Sequence, residues 1–366
     1  MDLEFYFLTF LELLSGFSAI MIGFLFLTVK SKNQIANIFM ALFMWSLAWI
    51  ILSNMLIDFV EENILDFPHF IDFDVILLII PSLFIYIIIT INKSFNVWFL
   101  LLFLPGIIFN IFHFEEDSIL DIISALLFPL INLPLMIIAY RILIKHKMKV
   151  ANYYSELEYK TMSWIKSIII TVLILHFFIL FSEVAESLNE ILGDLFMYLE
   201  VFTVLFIVYW VGYNGFFQAQ LFSESGSKEN LLQELVSKEK ETQKELAIDT
   251  EVQKRFEDIR LKIKTEKLFQ NPSLNLRTLA IGIGIKEKEL SKLINQCSET
   301  NFYQFINHFR VEEFKNLIAS PKAKQMSILG LAQEAGFSSK STFYSAFKTL
   351  EGMTPKQYEL SLNKSE

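Results

Sequence analysis

Seven apolar stretches fill most of the first 213 residues and leave this chain few ways to fold. They run Tyr6–Val29, Ile35–Ile57, Val75–Ile91, Val97–Phe112, Ile122–Leu143, Ile165–Phe181 and Leu195–Tyr213. A helix of about 20 residues, rising 1.5 Å each, crosses about 30 Å of hydrocarbon. No water is available there to satisfy backbone N–H and C=O groups, so only helices and closed barrels can span it. Runs this long and this uniformly apolar select the helix. The composition agrees: 54% hydrophobic residues, 38 Phe and a mean hydropathy of +0.46 are far from the usual soluble balance. The expectation is an all-α protein whose first part is a seven-helix transmembrane bundle. Pro81, Pro129 and Pro134 fall inside spans and read as kinks, which neighbouring helices can tolerate. The fourth stretch is short and contains Pro105-Gly106.

The connections predict an orientation. Basic residues collect in alternate loops: Lys30 and Lys32, then Lys93, then Arg141, Lys145, Lys147, Lys149, Lys160 and Lys166. The other loops carry acids and no Lys or Arg. They hold Asp58, Glu61, Glu62, Asp66, Asp72 and Asp74, then Glu115, Glu116, Asp117 and Asp121, then Glu183, Glu186, Glu190 and Asp194. Basic loops stay cytoplasmic. The N-terminus is therefore expected outside, and an odd number of spans places the C-terminal tail in the cytoplasm. Asp2 and Glu4 stand where a signal peptide would be basic, so the first span reads as retained.

Three ionisable groups fall within spans: Glu12 in the first, His176 in the sixth and Glu200 in the seventh. Such groups are costly in hydrocarbon and mark a signal site, or else act as structural hydrogen bonders near an interface. Ser15, Ala19 and Gly23 form a stripe of small residues that admits a close neighbouring helix. The seventh span has no lysine, which excludes a retinal Schiff base. One cysteine, Cys297, excludes an intramolecular disulfide framework, and the five His form no H-E-x-x-H. No cofactor, metal or catalytic constellation is expected.

The last third changes character. Residues 251–366 hold 18 Lys and Arg against 13 Asp and Glu, within a chain of net charge −9. That tail is the basic part, as a phosphate-binding surface requires. One pattern occurs in it twice. Leu279-Ala280-x-x-x-Gly284-Ile285 leads to Leu290 and Ile294, and Leu331-Ala332-x-x-x-Gly336-Phe337 leads to Phe343 and Phe347. Each copy reads as helix, glycine turn, helix, the layout of a helix-turn-helix. In the second copy Ile328–Ala335 is the supporting helix. Gly336 takes the turn, Ser338 or Ser339 caps the next helix, and Gly352 ends it ahead of Pro355. In the first, Leu276, Leu279 and Ala280 support and Lys286–Gln296 follows. Between them Asn301–Ala319 predicts a connecting helix with Phe302, Phe305, Ile306, Phe309, Leu317 and Ile318 at helical spacing.

The string Gly336-Phe337-Ser338-Ser339-x-Ser341-x-Phe343-x-x-x-Phe347-Lys348-x-x-x-Gly352-x-Thr354-Pro355 resembles the signature of AraC/XylS-type transcription regulators. Asn301-Phe302, Ile306-Asn307 and Arg310-Val311 are similar to that family's connecting helix. The resemblance covers about 251–366. It implies two recognition helices entering successive major grooves on one face of double-stranded DNA. By motif position it implies base-facing Lys288, Ser291 and Lys292 in the first helix, and Lys340, Ser341, Thr342 and Ser345 in the second. Lys348 is placed for phosphate. Departures from the pattern are Ser345 for a frequent arginine, Glu299 for a frequent glycine, Phe314 for a frequent alanine, and the acids Glu287 and Glu289 on the first recognition helix.

The domains expected are a seven-span transmembrane sensor region over 1–220, a helical linker over 221–250 and an AraC-type DNA-binding domain over 251–366. The linker register Leu232, Leu235, Glu239, Thr242, Leu246, Asp249, Gln253, Phe256 is a poor heptad, open to a homodimeric coil or to a solvated spacer helix. The function expected is a membrane-embedded one-component transcription regulator, not an enzyme. It would sit in a bacterial cytoplasmic (inner) membrane, with the lipid bilayer, DNA and an unidentified signal ligand or membrane partner as its contacts. A different class of reading is a transporter or intramembrane enzyme with a fused regulatory tail. A third makes the tail a protein-docking module.

Overall fold

Why the apolar half is helical follows from the preceding constraint, and the structure, a computed structural model, carries it through. It describes residues 3–29, 33–61, 75–92, 94–112, 118–157, 160–224 and 250–362. Helices α1 (Leu3–Thr28), α2 (Gln34–Glu61) and α3 (Ile76–Asn92) come first. A 3-10 segment over Val97–Phe103 then passes into α4 (Leu104–Phe112). Helices α5 (Ser118–Ala151), α6 (Ser163–Leu188) and α7 (Glu190–Glu224) follow. The change from 3-10 to α geometry falls next to Pro105. This proline sits in the first turn of α4, where a missing N–H costs no intrahelical bond. Pro81, Pro129 and Pro134 lie inside helices.

Among the described residues, four stretches are long and apolar enough to cross a membrane: Phe7–Thr28, Gln34–Ser53, Pro129–Ala151 and Ile191–Gly215. Three shorter apolar helical stretches accompany them, Leu77–Asn92, Val97–Ile111 and Ser163–Phe178. The outward face of α1 carries Phe10, Phe17, Met21 and Phe24, each more than half exposed. A row of large apolar side chains on the outside would be unfavourable in water and is what lipid calls for. Helix α1 packs on α2 and α7, α2 on α3, and α6 on α7. The small-residue stripe mediates the first of these contacts. Ser15 and Ala19 are buried, and a Cβ on Gly23 would lie 2.4 Å from the indole Nε1 of Trp45. Trp45 in turn donates from Nε1 to the Ile20 carbonyl at 3.3 Å.

By internal contacts the chain divides into two compact units, Met1–Leu143 with Ser163–Glu234, and Ile144–Met162 with Leu235–Glu366. The second unit thus takes in a segment that the sequence places between the fifth and sixth apolar stretches. Of the linker register, Leu232 to Asp249 lie outside the described residues, whereas Gln253 and Phe256 fall in the helix over Thr250–Thr265, with Phe256 buried.

In the second unit the helices are α8 (Thr250–Thr265), α9 (Leu276–Ile283), α10 (Glu287–Cys297), α11 (Phe302–Ile318), α12 (Ile328–Glu334), α13 (Lys340–Glu351) and α14 (Pro355–Leu362). Their ends carry the expected chemistry. Asn275 and Asn301 each form a capping box, with Thr278 and Gln304 respectively. Ser339 accepts from the Thr342 N–H, and Gly352 ends α13 at φ 72°. Helix α11 joins the two halves of the unit. Phe305 and Phe309 meet Phe256 and Phe269, with ring centroids 5.6 and 5.9 Å apart. Further along, Phe314 is fully buried against Phe343 and Phe347, at 4.7 and 5.4 Å. A phenylalanine in place of a smaller residue here fills the centre of a cluster built from Leu331, Ala332, Phe337, Phe343 and Phe347. Among the described residues there is no strand, only an isolated antiparallel bridge between Tyr154 and Asn275.

Candidate nucleic-acid interface

Helices α9 and α10 are joined through Gly284 at φ 86°, and α12 and α13 through Gly336 at φ 103°. These left-handed positions let each second helix leave its turn while its apolar side stays in the core. Leu290, Leu293 and Ile294 are buried in α10, and Phe343, Ala346 and Phe347 in α13. The opposite sides then face outward by helical periodicity. On α10, Lys288 and Lys292 are exposed and Ser291 is half-buried. At spacings of three and four they share one face. On α13, Lys340, Ser341, Ser345 and Lys348 are exposed. The Lys340 ammonium lies 5.7 Å from the Tyr344 ring centre, which holds its stem along the helix.

Thr342 differs from the rest of this set. It is buried, and its hydroxyl donates to the Glu156 carboxylate. Two acids, Glu287 and Glu289, also lie on α10. Glu289 pairs with Arg255 of α8 at 2.7 Å, so its charge turns toward the body of the unit. Glu287 is partly buried, and its carboxyl is raised by desolvation and lowered by Arg277. Glu299 adopts φ 53°, the left-handed conformation that a glycine takes without strain. The turn is kept while its preferred residue is not.

The unit contains a buried cation that the motif positions did not single out for a role. Arg310 of α11 is fully buried. Its Nε donates to the Phe269 carbonyl at 2.8 Å and its Nη2 to the Asn271 carbonyl at 2.9 Å. Nη1 reaches Asn307 Oδ1 at 3.2 Å and the Ser155 carbonyl at 3.3 Å, and Nη2 reaches Ser155 Oγ at 3.1 Å. Burial pulls the guanidinium down to about 10, while Glu156 and Tyr303 favour its charge. Its planar fork reaches the carbonyls of Ser155, Phe269 and Asn271 at once. The ring of Phe337 lies 5.8 Å from it, so the guanidinium ties α11 to the second turn.

In the membrane-type unit, Glu12, His176 and Glu200 come together. All three line one cavity of about 110 Å³, with Ser15 of α1 and apolar residues such as Ile50 and Leu175. The three belong to α1, α6 and α7, so only the packing of these helices unites them. Among the described residues, no group of three or more His, Cys, Asp or Glu is arranged to hold a metal ion.

Residues 279–360 match a family model described as a helix-turn-helix domain. No curated protein matches the chain, and neither does any solved structure. The matched stretch begins in α9 and ends in α14, so it takes in both helix pairs and the helix between them. The C-terminal unit therefore carries a helix-turn-helix domain, which supports DNA binding by this unit and a role in transcription regulation. The apolar helices that precede it indicate membrane association.

Proposed function

We propose that this protein is a membrane-embedded one-component transcription regulator. Both helix pairs act as helix-turn-helix units, α10 and α13 being the recognition helices. The seven apolar segments cross a bacterial cytoplasmic membrane, with the N-terminus outside and the DNA-binding unit in the cytoplasm. The observation that carries the reading is the pair of exposed faces on α10 and α13, each opposite a buried apolar face of its own helix, with α11 packed against both. Lys288, Ser291 and Lys292 on one, and Lys340, Ser341 and Ser345 on the other, are the base-reading side chains, and Lys348 contacts phosphate. Thr342 joins this set once its hydroxyl is released. The signal site is the cavity shared by Glu12, His176 and Glu200. Two carboxyl groups and an imidazole in an apolar wall fit a small cationic or hydrogen-bond-donating signal.

Footprinting of the full chain on retained genomic fragments tests the DNA-reading part. Lys292→Ala and Lys340→Ala each weaken specific binding by about 1–3 kcal/mol, and Lys348→Ala weakens all sequences alike while reducing the salt slope by about one. Full binding by both of the first two variants would remove the assignment of the recognition faces.

A further inference from the structure

From Ile144, near the end of α5, to Met162 the chain belongs to the C-terminal unit. Tyr153 and Ser155 run beside the entry to α9 as a short antiparallel bridge. Leu276 N–H donates to the Tyr153 carbonyl at 2.9 Å, and Ser155 N–H donates to the Leu274 carbonyl at 3.3 Å. Ser155 Oγ also donates to Leu274 O at 2.6 Å. Beneath it, Asn307 and Arg310 of α11 both donate to the Ser155 carbonyl, at 3.3 Å each. The next residue, Glu156, is buried and reaches the first turn of α13. Its carboxylate accepts from Ser338 Oγ at 2.6 Å, from Ser339 Oγ at 3.2 Å and from the Thr342 hydroxyl. Lys160 crosses back over the segment, with its ammonium 4.8 Å from the Tyr154 ring and 3.4 Å from the Glu156 carbonyl. The negative charge is felt around it. The Tyr303 phenol is pushed up to about 12, by burial first and by Glu156 second.

The position of this carboxylate bears on function. The start of a helix presents free N–H groups and the positive end of the peptide dipoles, and it favours an anion. In a DNA complex the anion offered to a recognition helix is the phosphodiester backbone. Here three hydroxyls at the start of α13 are turned instead to an acid of the chain itself. One of them, Thr342, is in the set assigned to face the duplex. We infer that residues 153–156 are a built-in clamp, with Glu156 standing in for a DNA phosphate at the start of the second recognition helix. The clamped unit is the low-affinity state. DNA engages α13 fully only when Glu156 withdraws and frees Ser338, Ser339 and Thr342. The clamp is the covalent connection between α5 and α6, so the proposed sensing helices are its own flanks. This inference rests on the DNA-binding reading of α13.

The test uses the full chain in lipid nanodiscs, titrated with the genomic fragment it retains most strongly at low ionic strength. Glu156→Ala binds that fragment at least about tenfold more tightly than the parent, and Glu156→Gln falls between them. Glu266→Gln removes one exposed charge elsewhere on the unit and changes affinity less than about twofold, which separates release of the clamp from a general loss of negative charge. A converse variant holds the clamp shut. Glu156→Cys with Ser338→Cys, in a Cys297→Ser background, is joined by a short bismaleimide, and binding falls at least about tenfold on linking. Wild-type binding that Glu156→Ala leaves unchanged or weakens overturns the clamp alone, since a merely structural cap predicts that result. Linked protein that binds as well as unlinked protein does the same. No DNA binding by any variant, Glu156→Ala included, overturns the clamp and the DNA-binding reading together.

Discussion

Gly336→Ala is the most discriminating perturbation of the DNA-binding unit, because three glycines there share a backbone conformation but not an environment. Gly284, Gly336 and Gly352 lie at φ 86°, 103° and 72°. An alanine in the left-handed region costs about 1–2 kcal/mol at any of them. A Cβ on Gly284 or Gly352 meets nothing within 4 Å, so the conformational cost is all that is paid. A Cβ on Gly336 falls 2.7 Å from the Phe269 carbonyl oxygen and 2.7 Å from Gln270 Cα. Both are backbone atoms, and that same carbonyl accepts from Arg310 Nε. Relief requires a backbone shift in a packed core, which adds about 1–3 kcal/mol. The total for Gly336→Ala is about 2–5 kcal/mol. Hydrogen exchange of the full chain, read on the slow amides of α11, converts this into a rate. At about 1.4 kcal/mol per factor of ten, Gly336→Ala accelerates exchange by roughly thirtyfold or more, and Gly352→Ala by roughly five- to thirtyfold. Equal acceleration by the two variants would show that the contact with residues 269 and 270 does not set the cost, and the packing argument for the second turn would fall.

Two further outcomes follow from other parts of the molecule. Arg310→Lys keeps a charge but loses the planar fork that reaches Phe269, Asn271 and Asn307, and it destabilises the C-terminal unit by about 3–5 kcal/mol; chemical denaturation followed by the same exchange amides checks it. Glu12→Gln and Glu200→Gln leave the affinity of the unsignalled chain for DNA unchanged but abolish the response of a reporter gene to the signal, whereas Phe17→Leu on the outward face of α1 preserves that response.

Much of the DNA-binding unit was legible because its signals are local. Gly336, Ser339 and Gly352 fix turn, cap and stop within a few positions of the residues they act on, and the 3.6-residue period puts Phe343 and Phe347 inward without reference to the rest of the chain. The apolar helices were legible for a similar reason, since length and hydropathy are properties of a single segment. What the sequence could offer for Glu12, His176 and Glu200 was three separate oddities in three spans; their meeting in one cavity depends on which helices are neighbours. Phe314 and Glu299 looked like departures from a pattern. The first proves to fill a core, and the second keeps a glycine's backbone geometry without the glycine.

Glu156 was invisible for a deeper reason. It lies 182 residues from Ser338, in a loop read for its basic residues, and the orientation argument gives no weight to an acid among them. In retrospect one signal was present. A buried-type run, Tyr153-Tyr154-Ser155, sits beside that acid between two lysine-rich flanks, where a solvated connection has no use for two aromatic rings. The segment that carries them is hydrogen-bonded through its backbone to the entry to α9 and to Asn307 of α11. The contact therefore cannot be deduced from either partner alone. Each half of it, the acid in the loop and the three hydroxyls before and within α13, has a complete local explanation that does not mention the other, and only their shared hydrogen bonds make them one device.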